Sequence, residues 1–298
     1  MIPLHDLRLP FTFNPQQDQT RADVSFLLDR QENPSKLFIM FKVALPIFFM
    51  SLLAGSQCFA QAGAPQRNIK YDTKHERNVL DFWPAKKDDA PVFIFFHGGG
   101  FRGGDKSHIE RNRGASIESY RKAGFAIVSC NYPFLSSEMD YEKIAHHCAR
   151  SVQFVRSKAK DWKIDPERIC CGGISAGALI SEFLGYHDDF ADPKSEDAVT
   201  RESSRAQVVV SIMQPIGTKD FALRFMEKGE APLFIYSTAS PDDFLHPPAQ
   251  AKLIHEKAKS LKIPTVMYGN ARNGLPEIPK GKNWLDLKIA FCLKHLPK

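Results

Sequence analysis

The sequence predicts an α/β protein with a mostly parallel central sheet covered by helices on both faces. Three observations carry this. Short apolar runs recur along the chain and read as strands buried on both sides. They alternate with longer segments of helical spacing, the order that builds a parallel sheet between helices. One run, Arg168-Ile169-Cys170-Cys171, leads through Gly173-Ile174-Ser175-Ala176-Gly177 into the helix-compatible stretch 178–184, so a serine falls on a strand-to-helix turn.

The elements follow in order. Residues 69–71 and 78–83 read as two antiparallel strands opening the sheet, and 85–91 as a charged loop. Val92-Phe93-Ile94-Phe95-Phe96 is a fully buried strand, and residues 107–123 a helix with Gly124 suited to its C-cap. Residues 125–130 form the next strand. The segment 141–160 is a long helix, with Ile144, Ala145, Cys148, Val152 and Val155 close to helical spacing. Asp165-Pro166-Glu167 reads as a turn into the strand before Ser175. The polar, Asp-rich stretch 186–205 reads as a loop or short cap element, which implies a small or absent cap and an open cleft. Strands at 206–213, 231–237 and 264–268 and helices at 247–261 and 284–296 complete the chain. No internal repeat is visible.

Composition bounds the function. The 298 residues are 43% hydrophobic and 25% charged, with a formal net charge of +6. These are ordinary globular values. Lys and Arg are scattered, no nucleic-acid motif is present, and nucleic acid is not an expected partner. No C-x-x-C or H-E-x-x-H spacing occurs, so no metal or other cofactor is expected. Met40-Phe41-Lys42, the apolar stretch 43–55 and Ser56-Gln57-Cys58-Phe59-Ala60 have the layout of a secretory signal peptide. The apolar stretch is short for a membrane span and contains Pro46, so a stable membrane anchor is not expected. The residues before Cys58 do not form a leucine-containing lipobox. The expected organisation is therefore a non-native extension over 1–39, a signal peptide over 40–60 and one domain over 61–298. A polar cytoplasmic tail preceding an anchor is the alternative. Residues 1–60 hold five basic and five acidic side chains, so their removal leaves the balance at +6, and five cysteines stay in the domain. An odd number in an exported chain leaves at least one free thiol.

Two motifs carry chemistry. Gly173-Ile174-Ser175-Ala176-Gly177 is a G-x-S-x-G pattern, in which a tight turn lifts a serine hydroxyl above a sheet. His97-Gly98-Gly99-Gly100-Phe101 directly follows the buried strand, and glycines there leave backbone N–H groups free to hold the oxyanion of an acyl-transfer intermediate. A merely flexible glycine turn would require neither the histidine before it nor the serine downstream. On these motifs the chain resembles the α/β-hydrolases of the HGGG-type esterase and lipase group, the hormone-sensitive-lipase-like and feruloyl-esterase-like carboxylesterases. The resemblance runs from about Tyr71 to the C-terminus. It implies Ser175 as nucleophile and the N–H groups of Gly99, Gly100 and Ala176 as the oxyanion hole.

A serine needs a base, and the base a carboxylate to orient it, in the chain order Ser, Asp, His. The loop Pro241-Asp242-Asp243-Phe244-Leu245-His246-Pro247-Pro248 follows the strand ending at Ser237. The resemblance picks Asp243, four residues before a helix-opening proline, with Asp242 second. A solvated turn is the non-catalytic reading. The resemblance puts the histidine after the last strand, in a Gly-x-Gly-His-Gly-like loop. The residues there are Gly269-Asn270-Ala271-Arg272-Asn273-Gly274, so Asn273 stands at the position of the missing histidine. An amide cannot take a proton at neutral pH. His246 is the possible substitute base. His97 would brace the glycine loop, His187 could reach the cleft rim, His255 and His295 read as surface residues, and the adjacent His146 and His147 point apart on a helix.

Two functions follow. One is a secreted serine hydrolase of carboxylic esters, its substrate a small ester or an acylated carbohydrate. The other is a degenerate hydrolase that binds such a molecule without efficient turnover. Arg102, Lys106 and Arg272 near the expected mouth would favour an acidic group, unless they are simply solvated. N-terminal sequencing of the exported protein is expected to start near Gln61; a mature chain containing Phe11 would refute the signal-peptide reading.

Overall fold

In the computed structural model, the structure describes residues 63–111 and 117–298. The extension over 1–39 and the signal peptide over 40–60 lie outside the described residues. No described helix is long and apolar enough to cross a membrane.

Eight strands form one sheet. They are β1 (Gln66–Lys70), β2 (Val79–Trp83), β3 (Ala90–Phe96), β4 (Ala126–Cys130), β5 (Ile164–Ile174), β6 (Val208–Ile212), β7 (Leu233–Tyr236) and β8 (Thr265–Tyr268). The helices are α1 (His108–Arg111), α2 (Ile117–Lys122), α3 (Tyr141–Ser157), α4 (Ala159–Trp162), α5 (Ala176–Tyr186), α6 (Pro248–Ser260) and α7 (Trp284–His295). A π-helical turn, Lys219–Leu223, and a 3₁₀ turn, Ala271–Asn273, complete the described elements. The spatial order is β1-β2-β4-β3-β5-β6-β7-β8. β1 and β2 pair antiparallel, β2 pairs antiparallel with β4, and all other pairings are parallel. This is the mostly parallel sheet that the alternating pattern predicts.

Strand β3 shows why its sequence has no polar alternation. Val92, Ile94 and Phe96 join one core with Ile144, Cys148 and Val152 of α3 and Leu179, Ile180 and Phe183 of α5. Phe93 and Phe95 join another with Tyr120 of α2 and Ile289, Phe291 and Cys292 of α7. Both faces of the strand are covered, so every position is apolar. Under β6 and β7 a third cluster packs Val209, Leu233 and Ile235 against Ala251, Ile254 and Ala258 of α6. The five cysteines of the domain are free thiols and all buried, and burial pushes the Cys130 thiol up to about 12. They act there as small core hydrophobes.

Some boundaries differ from expectation. Of the helix expected over 107–123, α1 and α2 are the described parts; Gly124, at φ 95°, ends α2 as expected. The expected turn at Asp165-Pro166-Glu167 lies inside β5. The ladder runs from Ala90↔Ile164 straight to Val92↔Ile169, so residues 165–168 bulge out of a strand that pairs on both sides of them. The long helix breaks at Lys158 into α3 and α4, and Lys163 ends the second piece in a left-handed conformation. Tyr186 still belongs to α5, and residues 187–205 contain neither helix nor strand. They lie along α3, where the Gln153 amide donates to the carbonyls of Phe190, Thr200 and Glu202.

The segment after the glycine loop is tied to the sheet by buried charge. Asp81 of β2 receives the Lys106 ammonium at 2.9 Å and the Arg67 guanidinium at 3.0 Å. The Lys106 N–H donates to Asn131 Oδ1, and Ser129 Oγ donates to the Lys106 carbonyl. Lys106 is therefore a buried structural cation, not a charge at the cleft mouth; Arg102 and Arg272 are the exposed ones. Removing one partner of a buried pair strands the other. Asp81→Asn is expected to lower stability in urea unfolding by about 3–5 kcal/mol; a loss well below 1 kcal/mol would show that the pair does not anchor the segment.

Candidate active site

The site forms at the ends of β3, β5, β6 and β7. Ser175 sits between β5 and α5 at φ 55°, ψ −119°. That conformation costs a non-glycine residue about 1–3 kcal/mol, and the neighbouring packing has to enforce it. It does so by close approach. A Cβ on Gly173 would lie 2.3 Å from the carbonyl carbon of Gly177, and a Cβ on Gly177 would lie 2.0 Å from the Phe96 oxygen. Only glycines let β5, α5 and the end of β3 meet there. The Ser175 N–H donates to the Ile212 carbonyl of β6 at 3.0 Å, which fixes the turn from the other side.

The glycine loop leans on this turn: a Cβ on Gly98 would come within 2.9 Å of the Ile174 oxygen and 3.3 Å of the Ser175 Cβ. Gly99 and Gly100 follow at φ 123° and 60°. Ala176 opens α5, where N–H groups have no acceptor within the helix. The positions singled out for an oxyanion hole thus lie on the two backbone segments that flank Ser175.

His97 braces the glycine loop. Its Nδ1 lies 2.8 Å from the Gly98 carbonyl, its ring stacks on Tyr132 at 4.2 Å, and the Tyr132 hydroxyl donates back to the His97 carbonyl. Burial first, and then the neighbouring Arg77, hold its pKa down to about 4, while the Gly98 carbonyl opposes them. His97 is therefore neutral near pH 7 and keeps its Nδ1–H for that carbonyl.

His246 reaches the serine. Its Nε2 lies 2.9 Å from Ser175 Oγ, and its Nδ1 lies 3.4 Å from Asp243 Oδ2. A carboxylate only accepts, so a neutral imidazole carries its proton on Nδ1 and presents Nε2 as the acceptor for the serine hydroxyl. The local sequence explains how two residues so close in the chain face each other. Asp243 Oδ1 accepts the N–H groups of Leu245 and His246 at 2.9 and 2.8 Å, curling the backbone around the carboxylate. Pro247 then biases His246 away from helical geometry, and α6 starts at Pro248. Partial burial would raise the pKa of Asp243. The two N–H groups and the imidazole outweigh it and hold the carboxyl below its usual value. The Nδ1–Oδ2 contact is longer than a strong hydrogen bond, and such contacts tighten when substrate binds. Asp242 is exposed and takes the Ser240 hydroxyl instead.

Asn273 has a different job. It is 4% exposed, its Nδ2 donates to the Ser237 carbonyl at 2.8 Å, and its Oδ1 accepts the N–H groups of Asn270 and Leu275. The first bond ties the loop after β8 to the end of β7, and the other two hold that loop's own backbone. The resemblance puts the base in this loop, with His246 the possible substitute; the structure brings His246 to Ser175 and leaves residue 273 to hold the backbone. The other histidines have partners elsewhere: His187 stacks on Phe190, His147 meets Asn78, and His255 meets Thr265. The Asp-x-x-His-Pro spacing was the available signal for His246, because a carboxylate three residues ahead can take the intervening N–H groups and turn the ring back toward itself.

The comparisons agree on the kind of molecule. A segment of 121 residues, 40% of this chain, is 30% identical to the carboxylesterase NlhH of Mycobacterium tuberculosis, of which it spans 36%. A truncated carbohydrate esterase from gut microbiota has a TM-score of 0.63 at 17% identity, over 79% of this chain and 97% of that one. An acetyl ester-xyloside bifunctional hydrolase from Caldicellulosiruptor lactoaceticus has a TM-score of 0.59 at 22% identity, over 72% and 88%. At these identities the likeness shows a shared fold, that of the α/β-hydrolases. The family model described as BD-FAE matches residues 80–257.

The bonds of Asn273 lead to a prediction. Asn273→His places an imidazole where three backbone groups need an amide, and unsatisfied buried groups cost about 1–3 kcal/mol each. Thermal unfolding is expected to show destabilisation, with no gain in ester turnover; turnover rising by orders of magnitude would mean that the loop after β8 can present a working base.

Proposed function

The chain belongs to the BD-FAE family of α/β-hydrolase esterases, and from that premise we propose that it hydrolyses carboxylic esters through an acyl-enzyme formed on Ser175. The single observation that carries this reading is the 2.9 Å approach of His246 Nε2 to the Ser175 hydroxyl.

His246 takes the serine proton as Ser175 Oγ attacks the acyl carbon, and Asp243 stabilises the imidazolium and keeps its ring oriented. The N–H groups of Gly99, Gly100 and Ala176 receive the developing oxyanion. Collapse of the tetrahedral intermediate expels the alcohol, which takes the proton from His246. A water molecule, deprotonated by the same imidazole, then attacks the acyl-enzyme and releases the acid. A base within hydrogen-bond reach of Ser175 supports turnover over a binding-only reading. The names of the similar solved structures extend the proposed substrates to small esters and acylated carbohydrates. The signal-peptide layout of residues 40–60 supports action after export.

Hydrolysis of a chromogenic short-chain acetate ester by the domain tests the proposal. Ser175→Ala and His246→Ala are each expected to cut kcat by about 10⁴–10⁶, leaving the acceleration due to the oxyanion hole and binding. Unchanged turnover in Ser175→Ala would remove the acyl-enzyme route, and unchanged turnover in His246→Ala would remove the proposed base.

A further inference from the structure

The loop carrying Asp243 and His246 does not stand alone. The Ile216 N–H donates to the Leu245 carbonyl at 2.8 Å, one residue before the proposed base. Ile216 belongs to the short segment after β6, between Met213 at φ 53° and Gly217 at φ 99°. Such a segment holds a fixed shape only if something inside it does.

That something is the side chain of Gln214, 1% exposed. Its Nε2 donates to Thr218 Oγ1 at 2.7 Å and to Glu182 Oε2 at 2.9 Å. Its Oε1 accepts the hydroxyl of Ser211 on β6. Thr218 Oγ1 in turn donates to the Pro215 carbonyl at 2.9 Å. Both amide hydrogens and the carbonyl are used, so the side chain has one orientation. The segment is wrapped around its own glutamine and pinned at three points: to β6, to α5 and to the start of the π-helical turn. Glu182 and Ser211 also lie on the elements that shape the serine turn. Glu182 is two turns along α5 from Ser175, and Ser211 precedes Ile212, whose carbonyl takes the Ser175 N–H.

We propose that Gln214, held by Glu182 and Thr218, is a positioning residue that sets the distance between His246 and Ser175 by fixing the Ile216 contact to Leu245. Gln214 touches neither the serine nor the imidazole and acts through the backbone between them. Burial pushes Glu182 up to about 8 against the opposing hydrogen bonds of Ser211 and Gln214, so near neutral pH it is a neutral acceptor, a part that an amide can play.

The inference rests on His246 as the base, and a double-mutant cycle separates the two claims. Gln214→Ala is expected to lower kcat by about 10–100-fold with KM within about twofold, the size of loss that a misplacement of about 1 Å causes. In a His246→Ala background the same change is expected to lower the residual kcat less than about twofold, because the group it positions is gone. Equal losses in both backgrounds would overturn the positioning role alone. An unchanged kcat in His246→Ala itself would overturn the base and this inference with it. Glu182→Gln, which keeps an acceptor for Gln214, is expected to hold kcat within about twofold, whereas Glu182→Leu is expected to repeat the Gln214→Ala loss; identical losses in both Glu182 variants would also overturn the proposal. Thr218→Val, a smaller lesion, gives the same cycle if Gln214→Ala does not fold, and additive losses there count equally against it.

Discussion

The rest of the site depends on the left-handed backbone of Ser175. At φ 55° the serine cannot continue β5 and does not yet belong to α5, so its side chain stands clear of both. Packing holds it there: Gly173 and Gly177 let α5 press against the strand and against the Phe96 carbonyl, and β6 supplies the Ile212 carbonyl to the Ser175 N–H. The end of β3 delivers the glycine loop to the same point. Three parallel strands, β3, β5 and β6, converge on one strained residue, and the cores on both faces of the sheet supply the free energy that keeps it so.

The proposed acid and base take a shorter route to the serine than the resemblance implies. Asp243 collects the N–H groups of Leu245 and His246, and this turn alone brings the imidazole over the carboxylate. One loop after β7 thus carries both the proposed acid and the proposed base, and the loop after β8 carries neither. Asn273 makes sense in that light: its buried amide ties the β8 loop to Ser237, at the root of the loop that carries Asp243 and His246. Residue 273 supports the strand from which the loop of Asp243 and His246 hangs.

How much of this was legible in the sequence follows from where the information sits. Continuous apolar runs mark strands covered on both faces, so β3, β4 and β6 could be read within a residue or two. The two glycine motifs could be read because close backbone approach demands specific residues at fixed spacing. The bulge at 165–168 could not: its Asp and Pro look locally like a stop, while the ladder that continues on either side is set by β3. The break at Lys158 has no glycine or proline to announce it. That His246, named only as a substitute, is the imidazole beside Ser175 was out of reach for a related reason. Spacing along the chain indicates that Asp243 and His246 can meet, but their nearness to Ser175 depends on the Ile216 contact to Leu245, which joins segments distant in sequence.

The compact acid–base loop also divides the chain into parts under different constraints. Ser175, Asp243 and His246 all fall within residues 80–257, the span that matches the family model. Everything after α6 contributes β8, the stitching loop and α7, which meet the end of β7 through Asn273 on Ser237 and Trp284 stacked on Tyr236 at 4.8 Å, and back β3 through the α7 side chains against Phe93 and Phe95. Substitutions there are felt as changes in support, graded and repairable by neighbours, whereas substitutions at Ser175, Asp243 or His246 act on the proposed chemistry directly. A lineage built this way can remodel its last eighth, residues 261–298, while Ser175, Asp243 and His246 stay where they are.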